Sequence, residues 1–200
     1  QAAAERDRLK TDAEAALRQI MLDHEFGAAG DEVVIEERLS GPEVSVLAFC
    51  DGRTVRVMPP AQDHKRVGDG DTGLNTGGMG AYAPAPVAPP AFLAEVVRTV
   101  LQPTIDGLRA EGRPFVGVLY AGLMLTADGP RVLEFNARFG DPETQVIPPL
   151  LESDLVEVLM ACAEGRLADV DVVWRDGAAA CVVLASEGYP GVYPKGRVID

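Results

Sequence analysis

The chain has 200 residues, of which 47% are hydrophobic and 24% charged, a composition typical of a folded globular protein and not of a disordered segment. Its formal net charge of −13 argues against a nucleic-acid-binding surface, which needs a basic face, and against adsorption to anionic membranes. If a phosphorylated ligand binds, local cations, backbone N–H groups or a metal ion must reverse that field.

Cysteine usage and hydropathy indicate a reduced, cytoplasmic setting. The three cysteines are widely spaced and include no Cys-x-x-Cys pair, so the sequence predicts neither a disulfide framework nor a zinc site. The longest apolar run, residues 115–126, is interrupted by glycines and is too short to cross a bilayer. Because the chain starts at Gln1 without Met, we expect an upstream portion of the protein to be missing.

The first elements are predicted to be one helix and three strands. Thr11 and Glu14 have the spacing of a capping box, and the apolar stripe that follows them ends near Asp23. Apolar runs rich in β-branched residues predict an antiparallel meander of strands at residues 33–35, 44–49 and 54–58.

The polar stretch between the first two strands has two interpretations. Residues 36–43 read Glu-Glu-Arg-Leu-Ser-Gly-Pro-Glu. Backbone groups at a strand end can recognise the edge of a purine, and Glu43, across the turn, could accept hydrogen bonds from two ribose hydroxyls. The alternative is a charged hairpin turn, and the stretch by itself favours that alternative.

A cation cluster and a glycine-rich loop follow. His64, Lys65 and Arg66 form the densest group of basic residues, and six glycines lie from Gly68 to Gly80. Such glycine density suits either close approach of the backbone to a ligand or a flexible lid. The stretch is not a Walker loop, because no Gly-Lys-Ser or Gly-Lys-Thr ends it. We interpret it as an anion-binding loop.

The second half of the chain is predicted to alternate helices and strands. In chain order these are an extended proline-rich connector at residues 84–90, a helix at residues 91–111, a hairpin of residues 115–126 with 131–135, a helix capped by Ser153 that ends near Gly165, and strands at residues 178–185 and from Val198 to Ile199. Pro103 is expected to kink or split the first helix, and Gly112 to end it. A domain boundary is expected within residues 169–177.

The strand that ends the hairpin carries the most informative polar pair. Glu134 and Asn136 are two residues apart and so project to one face of the strand, while Leu133 and Phe135 face the core. A carboxylate and an amide carbonyl are hard oxygen donors, which suit Mg²⁺ and nucleotide phosphates better than zinc. The sequence predicts a magnesium site, with an ordinary polar strand end as the alternative.

Three runs carry a resemblance to a known family. They are Gln-Asp-His-Lys-Arg at residues 62–66, Asn-Thr-Gly-Gly-Met-Gly-Ala-Tyr at residues 75–82, and Glu-Phe-Asn-Ala-Arg-Phe-Gly-Asp-Pro-Glu-Thr-Gln at residues 134–145. From about Leu17 to its end the chain closely resembles the glycinamide ribonucleotide synthetases, the phosphoribosylamine–glycine ligases of the ATP-grasp superfamily.

That resemblance implies an α+β, ATP-grasp fold of antiparallel sheets with packed helices, incomplete at both ends. Residues 1–58 would belong to the small ATP lobe, residues 59–175 to the large lobe with the metal and substrate site, and residues 176–200 to the start of a carboxy-terminal β-rich domain. The implied reaction joins glycine to 5-phosphoribosylamine in de novo purine biosynthesis, uses ATP with Mg²⁺ or Mn²⁺, and passes through glycyl phosphate. Since the missing portions of the same enzyme complete the site, we expect these 200 residues alone to turn over little or nothing.

The resemblance also implies roles for individual residues. Glu134 and Asn136 would be metal ligands, and Glu43 would hold the ribose, which reverses the preference for a bare hairpin turn. The adenine hinge would comprise Glu36, Glu37, Arg38 and Leu39. Lys65, Arg66 and Asn75 would lie beside the nucleotide phosphates. The set around phosphoribosylamine and glycine would be Asp63, Asn75, Thr76, Gly77, Gly78, Arg138, Asp141 and Glu143. Arg138 and Lys65 would take part most directly in catalysis.

Two other hypotheses stay open. Another ATP-grasp carboxylate–amine ligase or a biotin-carboxylase-type ligase would share Glu134 and Asn136, although residues 63–66 and 138–143 discriminate against it. A non-catalytic nucleotide-binding module is the alternative from a different class, and the grouping of acids, amide and arginine argues against it.

Overall fold

The computed structural model describes residues 2–198, with only the backbone described for residues 2–5. By its internal contacts the chain divides into one unit that ends at Arg38 and a second that begins at Leu39. The predicted boundary at residue 58 differs from this division, and strand pairing crosses it, because the strand Glu43–Asp51 pairs with the strand Val116–Thr126. A late strand also pairs across the predicted boundary at residue 175.

The first unit is helical. Helix α1 (Ala2–Leu17) continues into a wider π turn (Arg18–Leu22), and a short 3-10 turn (Gly27–Gly30) follows. The prediction that Thr11 caps the helix is wrong, because Thr11 lies within α1 and its hydroxyl donates to the Asp7 carbonyl at 3.0 Å. The residues before Thr11 are themselves good helix formers, so the helix extends past the capping-box spacing. The predicted end near Asp23 is confirmed.

The predicted strand at residues 33–35 is absent. These residues form no regular secondary structure, and Val34 and Ile35 are 85% and 80% exposed. A β-branched run becomes a strand only when a neighbour takes up its backbone hydrogen bonds. No strand within residues 2–198 pairs with this segment.

The second unit is built on antiparallel sheets. Its strands are β1 (Glu43–Asp51), β2 (Val55–Val57), β3 (Gln62–Asp63), β4 (Arg66–Gly68), β5 (Thr72–Asn75), β6 (Gly80–Ala83), β7 (Val116–Thr126), β8 (Gly129–Asn136) and β9 (Ala179–Val182). The sheets have the strand orders β2-β1-β7-β8, β3-β6-β9 and β4-β5. The prediction of an α+β architecture with antiparallel sheets is confirmed, as is the β7–β8 hairpin.

The helices of the second unit are α2 (Pro90–Val96), α3 (Gln102–Ala110) and α4 (Leu155–Glu164). A π turn (Val97–Leu101) joins α2 to α3, and in it the Gln102 N–H bonds to the Val97 carbonyl. Pro103 has no N–H to continue the regular pattern, so the predicted disturbance takes the form of this widened turn. The run ends just before Gly112, as predicted.

Several local predictions are wrong. Asp154, not Ser153, caps α4, because its carboxylate accepts from the N–H groups of Val156 at 2.8 Å and Glu157 at 3.3 Å. Within the segment predicted as a loop, from Gly68 to Gly80, Gly68 ends β4, residues 72–75 form β5 and Gly80 begins β6, since their backbone groups pair with one another and with β3 and β9. Residues 84–90 turn instead of extending. Strand β9 is shorter than predicted, Val198 is not in a strand, and Ile199 lies outside the described residues.

Both faces of the four-stranded sheet are packed. On one face, Leu47, Phe49 and Tyr120 contact residues of α4 and of the segment that precedes it. On the other face, alternate residues such as Val46 and Ala121 pack on α2 and α3. This two-sided burial fixes the strand register, so polar side chains at the sheet end hold defined positions. Among the described residues, no helix combines the length and the hydropathy needed to cross a membrane.

Candidate active site

The strand register brings polar residues of three strands to one end of one sheet face. Ser45 of β1 lies opposite Gly122 of β7, and Gly122 lies opposite Glu134 of β8. Tyr120, two residues before Gly122, lies opposite Asn136. Because residues two apart share a face, Ser45, Tyr120, Glu134 and Asn136 occupy the same side of the sheet.

A β-bulge sets the direction of the predicted metal ligands. Gly122 pairs with Glu134 and Leu123 with Val132, so Leu133 has no residue opposite it. A bulge of this kind re-aims the side chains that follow it. The predicted common face of Glu134 and Asn136 is present. The prediction that Phe135 faces the core is wrong, because β8 is an edge strand and Phe135 is 43% exposed.

Glu134 and Asn136 fit part of a coordination sphere for a hard cation. Glu134 is exposed and Asn136 half-buried, and neither side chain hydrogen-bonds to another group within the described residues. Among the described side chains, those of residues 6–198, no three His, Cys, Asp or Glu groups converge to hold a metal. A cation here would take the rest of its ligands from water or from a bound phosphate, as Mg²⁺ commonly does.

Lys65 contacts the predicted ribose ligand, Glu43, and feels the charge of the predicted metal ligand, Glu134. Its Nζ is 2.7 Å from Glu43 Oε2, and both side chains are partly exposed. Partial burial acts to lower the pKa of Lys65, but the hydrogen bond to Glu43 and the charges of Asp63, Glu43 and Glu134 outweigh it and raise that pKa. Lys65 is therefore a fixed cation in an acidic surrounding.

Glu43 and Lys65 line a cavity of 380 Å³ with other residues of the cation cluster. The lining consists of Gly41, Pro42, Glu43, Gln62, Asp63, His64, Lys65, Arg66, Asp71 and Asn75. Burial raises the pKa of Asp63 above its ordinary value of 3.8, with Lys65 acting in the opposite direction and Glu143 adding to the rise. The Gln62 amide donates to the Glu43 carbonyl at 2.9 Å, which joins β3 to the start of β1.

Glu143 lies inside the protein and not on a ligand-accessible surface. Its side chain is 2% exposed, and its Oε1 accepts from Ser45 Oγ at 2.8 Å and from the Tyr120 hydroxyl at 2.9 Å. The two hydroxyls are 2.8 Å apart. Burial, together with the Glu143 charge, raises the pKa of Tyr120. Packing of residues 143–150 on the sheet thus encloses the carboxylate, and the assignment of Glu143 to direct substrate contact stays a prediction.

The amides expected to hold an anion in the glycine-rich segment are already hydrogen-bonded. The N–H groups of Thr76 and Met79 donate to the carbonyls of Lys65 and His64 at 2.7 and 2.8 Å. The Gly78 N–H donates to Thr76 Oγ1 at 3.0 Å, and the Gly77 N–H to the Tyr189 hydroxyl at 3.0 Å. Thr76 thus holds the loop in shape, and these four amides are not free to bind an anion in this structure.

Two of the recognition runs meet at Gly78 and Pro142. Gly78 has a φ of +118°, and a Cβ on it would lie 2.4 Å from Pro142 Cδ, so only glycine fits this approach. Beyond this contact, Arg138 is exposed and donates to the Phe139 carbonyl at 2.8 Å, and Asp141 accepts from the Gln145 amide at 2.8 Å. Arg138 and Asp141 therefore remain at the surface, and the backbone of Asp141 lies beside Gly78 of the glycine-rich segment.

The predicted adenine hinge and the remaining phosphate residues are surface groups. Residues 36–38 are exposed and irregular, and the division between the two units falls between Arg38 and Leu39. Arg66 donates to the Gly73 carbonyl at 2.8 Å and pairs in register with Asn75. Both Arg66 and Asn75 lie at the 380 Å³ cavity.

For four residues of this region the sequence predicted no functional role. Ser45 and Tyr120 are ordinary strand residues in the sequence, and only the structure shows that both hydroxyls donate to Glu143. Gly122 is a glycine inside an apolar strand, a signal of close approach that could have been used. A Cβ on Gly122 would lie 3.2 Å from Glu134 Cγ, so its absence makes room for the Glu134 side chain. Tyr189 follows in a segment interpreted only as a turn.

Comparisons with known sequences agree on one family. A family model described as phosphoribosylglycinamide synthetase, ATP-grasp (A) domain, matches residues 7–144. A bifunctional purine biosynthetic protein of Schizosaccharomyces pombe is 59% identical over 95% of this chain and 24% of its own length. The trifunctional purine biosynthetic protein adenosine-3 of Gallus gallus is 61% identical over 95% of this chain and 19% of its own length. The chain thus spans about a quarter or less of these relatives.

Comparisons with solved structures give the same picture. A phosphoribosylamine–glycine ligase from Thermotoga maritima is 39% identical with a TM-score of 0.72, over 80% of this chain and 40% of that one. A phosphoribosylglycinamide synthetase from Anaerococcus prevotii has a TM-score of 0.51 at 17% identity, over 76% of this chain and 37% of that one. The second likeness is one of fold alone.

Proposed function

This chain belongs to the phosphoribosylglycinamide synthetase ATP-grasp (A) domain family, and from that premise we propose that it is the central section of a longer phosphoribosylamine–glycine ligase. The reaction would join glycine to 5-phosphoribosylamine with the conversion of ATP to ADP and phosphate, in de novo purine biosynthesis. The lobe assignments made from the sequence belong to this proposal.

The observation that carries the proposal is that Glu134 and Asn136 offer oxygen atoms free of hydrogen bonds, while Lys65 supplies a cation in the same electrostatic field. Glu134 and Asn136 have no side-chain hydrogen bond within the described residues, and Glu134 contributes to the field at Lys65. A nucleotide phosphate with a divalent cation needs both features, because the chain as a whole carries a net charge of −13. When bound by Glu134 and Asn136, Mg²⁺ or Mn²⁺ would supply charge neutralisation at the phosphates.

The reaction would proceed in two steps. The glycine carboxylate attacks the γ-phosphate of ATP and gives glycyl phosphate and ADP. The amine of phosphoribosylamine then attacks the acyl carbon, phosphate leaves, and the amide forms. The residues of this chain would contribute by positioning and charge neutralisation, and no protein nucleophile is needed.

Individual residues would contribute in distinct ways. Lys65 would offset phosphoryl charge after exchanging its 2.7 Å contact with Glu43 for a phosphate oxygen. Glu43, once released, would accept from the ribose hydroxyls, and residues 36–39 would contact adenine. Arg66 and Asn75 would border the phosphates from the 380 Å³ cavity.

The substrate side would be formed by the surface next to Gly78 and Pro142. Arg138 is exposed four residues before Pro142, and its planar guanidinium suits two-point recognition of a carboxylate or a phosphate. Asp63, Asp141 and residues 76–78 would complete this side. Glu143 would contribute indirectly, because its buried carboxylate accepts from the hydroxyls of Ser45 and Tyr120 and so supports the sheet.

Turnover by the full-length protein tests the proposal. We expect ADP formation that requires glycine and phosphoribosylamine together, and glycinamide ribonucleotide as the product. The 200-residue chain alone should show little or no turnover. ADP formation that depends on bicarbonate or on a different carboxylate would contradict the assignment and favour another ATP-grasp ligase, and binding of ATP without any phosphate release would favour a non-catalytic module.

Cytoplasmic localisation is part of the same proposal. The three cysteines are unpaired, and Cys50 and Cys162 are buried. Burial raises the pKa of Cys50 to about 12, so its thiol stays protonated and unreactive. Unpaired thiols suit a reducing compartment.

A further inference from the structure

The turn that contains Tyr189 is attached to the glycine-rich segment by one hydrogen bond. The Tyr189 hydroxyl accepts from the Gly77 N–H at 3.0 Å, across 112 residues of sequence. Gly77 is the residue before Gly78, which packs on Pro142. Tyr189 therefore lies at the point where the glycine-rich segment and the residue 138–143 run meet, although no role has been given to it above.

The Tyr189 hydroxyl has one hydrogen-bonding capacity left. A phenol accepts and donates, and the bond from Gly77 uses only an acceptor position. Within residues 2–198, no acceptor takes the hydroxyl proton. The O–H is thus available as a donor to a ligand that lies on the glycine-rich segment.

The surroundings of this donor favour an anion. The rings of Tyr189 and Tyr193 contact edge to face with centroids 5.5 Å apart. Lys195 Nζ lies 5.9 Å from the Tyr193 centroid, which places an ammonium group over the ring that contacts Tyr189. In a chain with a net charge of −13, a cation over the neighbouring ring and a free O–H donor on Tyr189 both favour an anionic ligand.

We propose that Tyr189 is a substrate-binding residue whose hydroxyl accepts from Gly77 and donates to the phosphate of the amine substrate. This assignment rests on the proposed ligase function and adds to it a residue from the carboxy-terminal turn. The bond from Gly77 orients the hydroxyl, and the phosphate completes its hydrogen bonding. A phosphate is favoured over the glycine carboxylate because it carries more charge and offers more acceptor oxygens.

The kinetic test compares Tyr189→Phe with Tyr193→Phe in the full-length protein. Both changes remove one phenolic oxygen, but within the described residues the Tyr193 hydroxyl has no hydrogen bond. For Tyr189→Phe we expect the KM for phosphoribosylamine to rise roughly tenfold, the effect of losing a hydrogen bond to a charged group. The KM values for ATP and glycine, kcat and the melting temperature should stay unchanged. Tyr193→Phe should behave as the unsubstituted protein does.

Several kinetic results would overturn the assignment. An unchanged KM for phosphoribosylamine would remove Tyr189 from the site. A rise confined to glycine would assign the hydroxyl to the carboxylate instead. A joint change in all three KM values with a lower melting temperature would leave only a structural role.

A second measurement does not depend on turnover. Inorganic phosphate titrated into the ¹⁵N-labelled full-length protein should shift the Gly77 amide resonance, with an apparent Kd roughly tenfold weaker in Tyr189→Phe. No response at Gly77, or equal Kd values, would overturn the assignment. If the unsubstituted protein lacks ligase activity, the proposed function fails, and this titration still decides whether Tyr189 binds phosphate.

Discussion

Glu134 and Glu143 belong to one sequence run and carry the same carboxylate, yet the fold gives them opposite surroundings. Glu134 is exposed at an edge strand and has no hydrogen bond within the described residues. Glu143 is 2% exposed and accepts from two buried hydroxyls. The comparison teaches that a shared motif does not imply a shared role: one carboxylate is available to a ligand, and the other supports the sheet beneath it.

The largest expected effect is a loss of ligase activity when Glu134 is substituted. Glu134→Gln keeps the shape but removes a charged oxygen donor, so we expect ligase activity to fall by about a hundredfold or more. The free energy of unfolding should change by less than about 0.5 kcal/mol, because the side chain is exposed. Initial rates over a range of Mg²⁺ concentrations and urea unfolding measure the two quantities. Glu111→Gln, at an exposed site after α3, is the control, and a full rate for Glu134→Gln at saturating Mg²⁺ would remove Glu134 from the site.

The next largest expected effect is a loss of stability when Glu143 is substituted. Glu143→Ala leaves the hydroxyls of Ser45 and Tyr120 buried without their acceptor, so we expect the free energy of unfolding to fall by about 2–4 kcal/mol. Tyr120→Phe removes one donor and leaves the carboxylate with Ser45, and should cost about 1–2 kcal/mol. Urea unfolding of both variants measures the difference. If Glu143→Ala unfolds like the unsubstituted protein while activity is lost, Glu143 is a substrate ligand after all.

The smallest expected effect comes from Gly122, which makes room for the orientation of the Glu134 side chain. In Gly122→Ala the new Cβ would lie 3.2 Å from Glu134 Cγ, so the side chain must shift while its charge is kept. We expect the Kd for Mn²⁺, measured by calorimetry, to rise about tenfold. Gly107→Ala, where a Cβ meets nothing within 4 Å, is the matched control. An unchanged Kd would show that the bulge at Leu133 directs Glu134 without help from Gly122.

Local signals in the sequence predicted the elements whose partners are near in the chain. The β7–β8 hairpin and the helix ends before Gly112 and Gly165 depend on neighbouring residues, and all three are present. Residues 33–35 have equally good strand chemistry, but a strand also needs a partner, and none within residues 2–198 pairs with them. In the glycine-rich segment the amides were expected to be free for an anion. Instead they donate to the carbonyls of Lys65 and His64 and to the Tyr189 hydroxyl.

The family and the common face of Glu134 and Asn136 could be predicted from the sequence, because both depend on motifs and on the two-residue period of a strand, which are visible in the order of residues. The sequence also established that an acidic chain needs local cations to hold a phosphate. The enclosure of Glu143, the ion pair of Lys65 with Glu43 and the hydrogen bond between Tyr189 and Gly77 are visible only in the folded chain. Burial and hydrogen-bond partners depend on which distant segments pack together, and sequence spacing does not encode that packing.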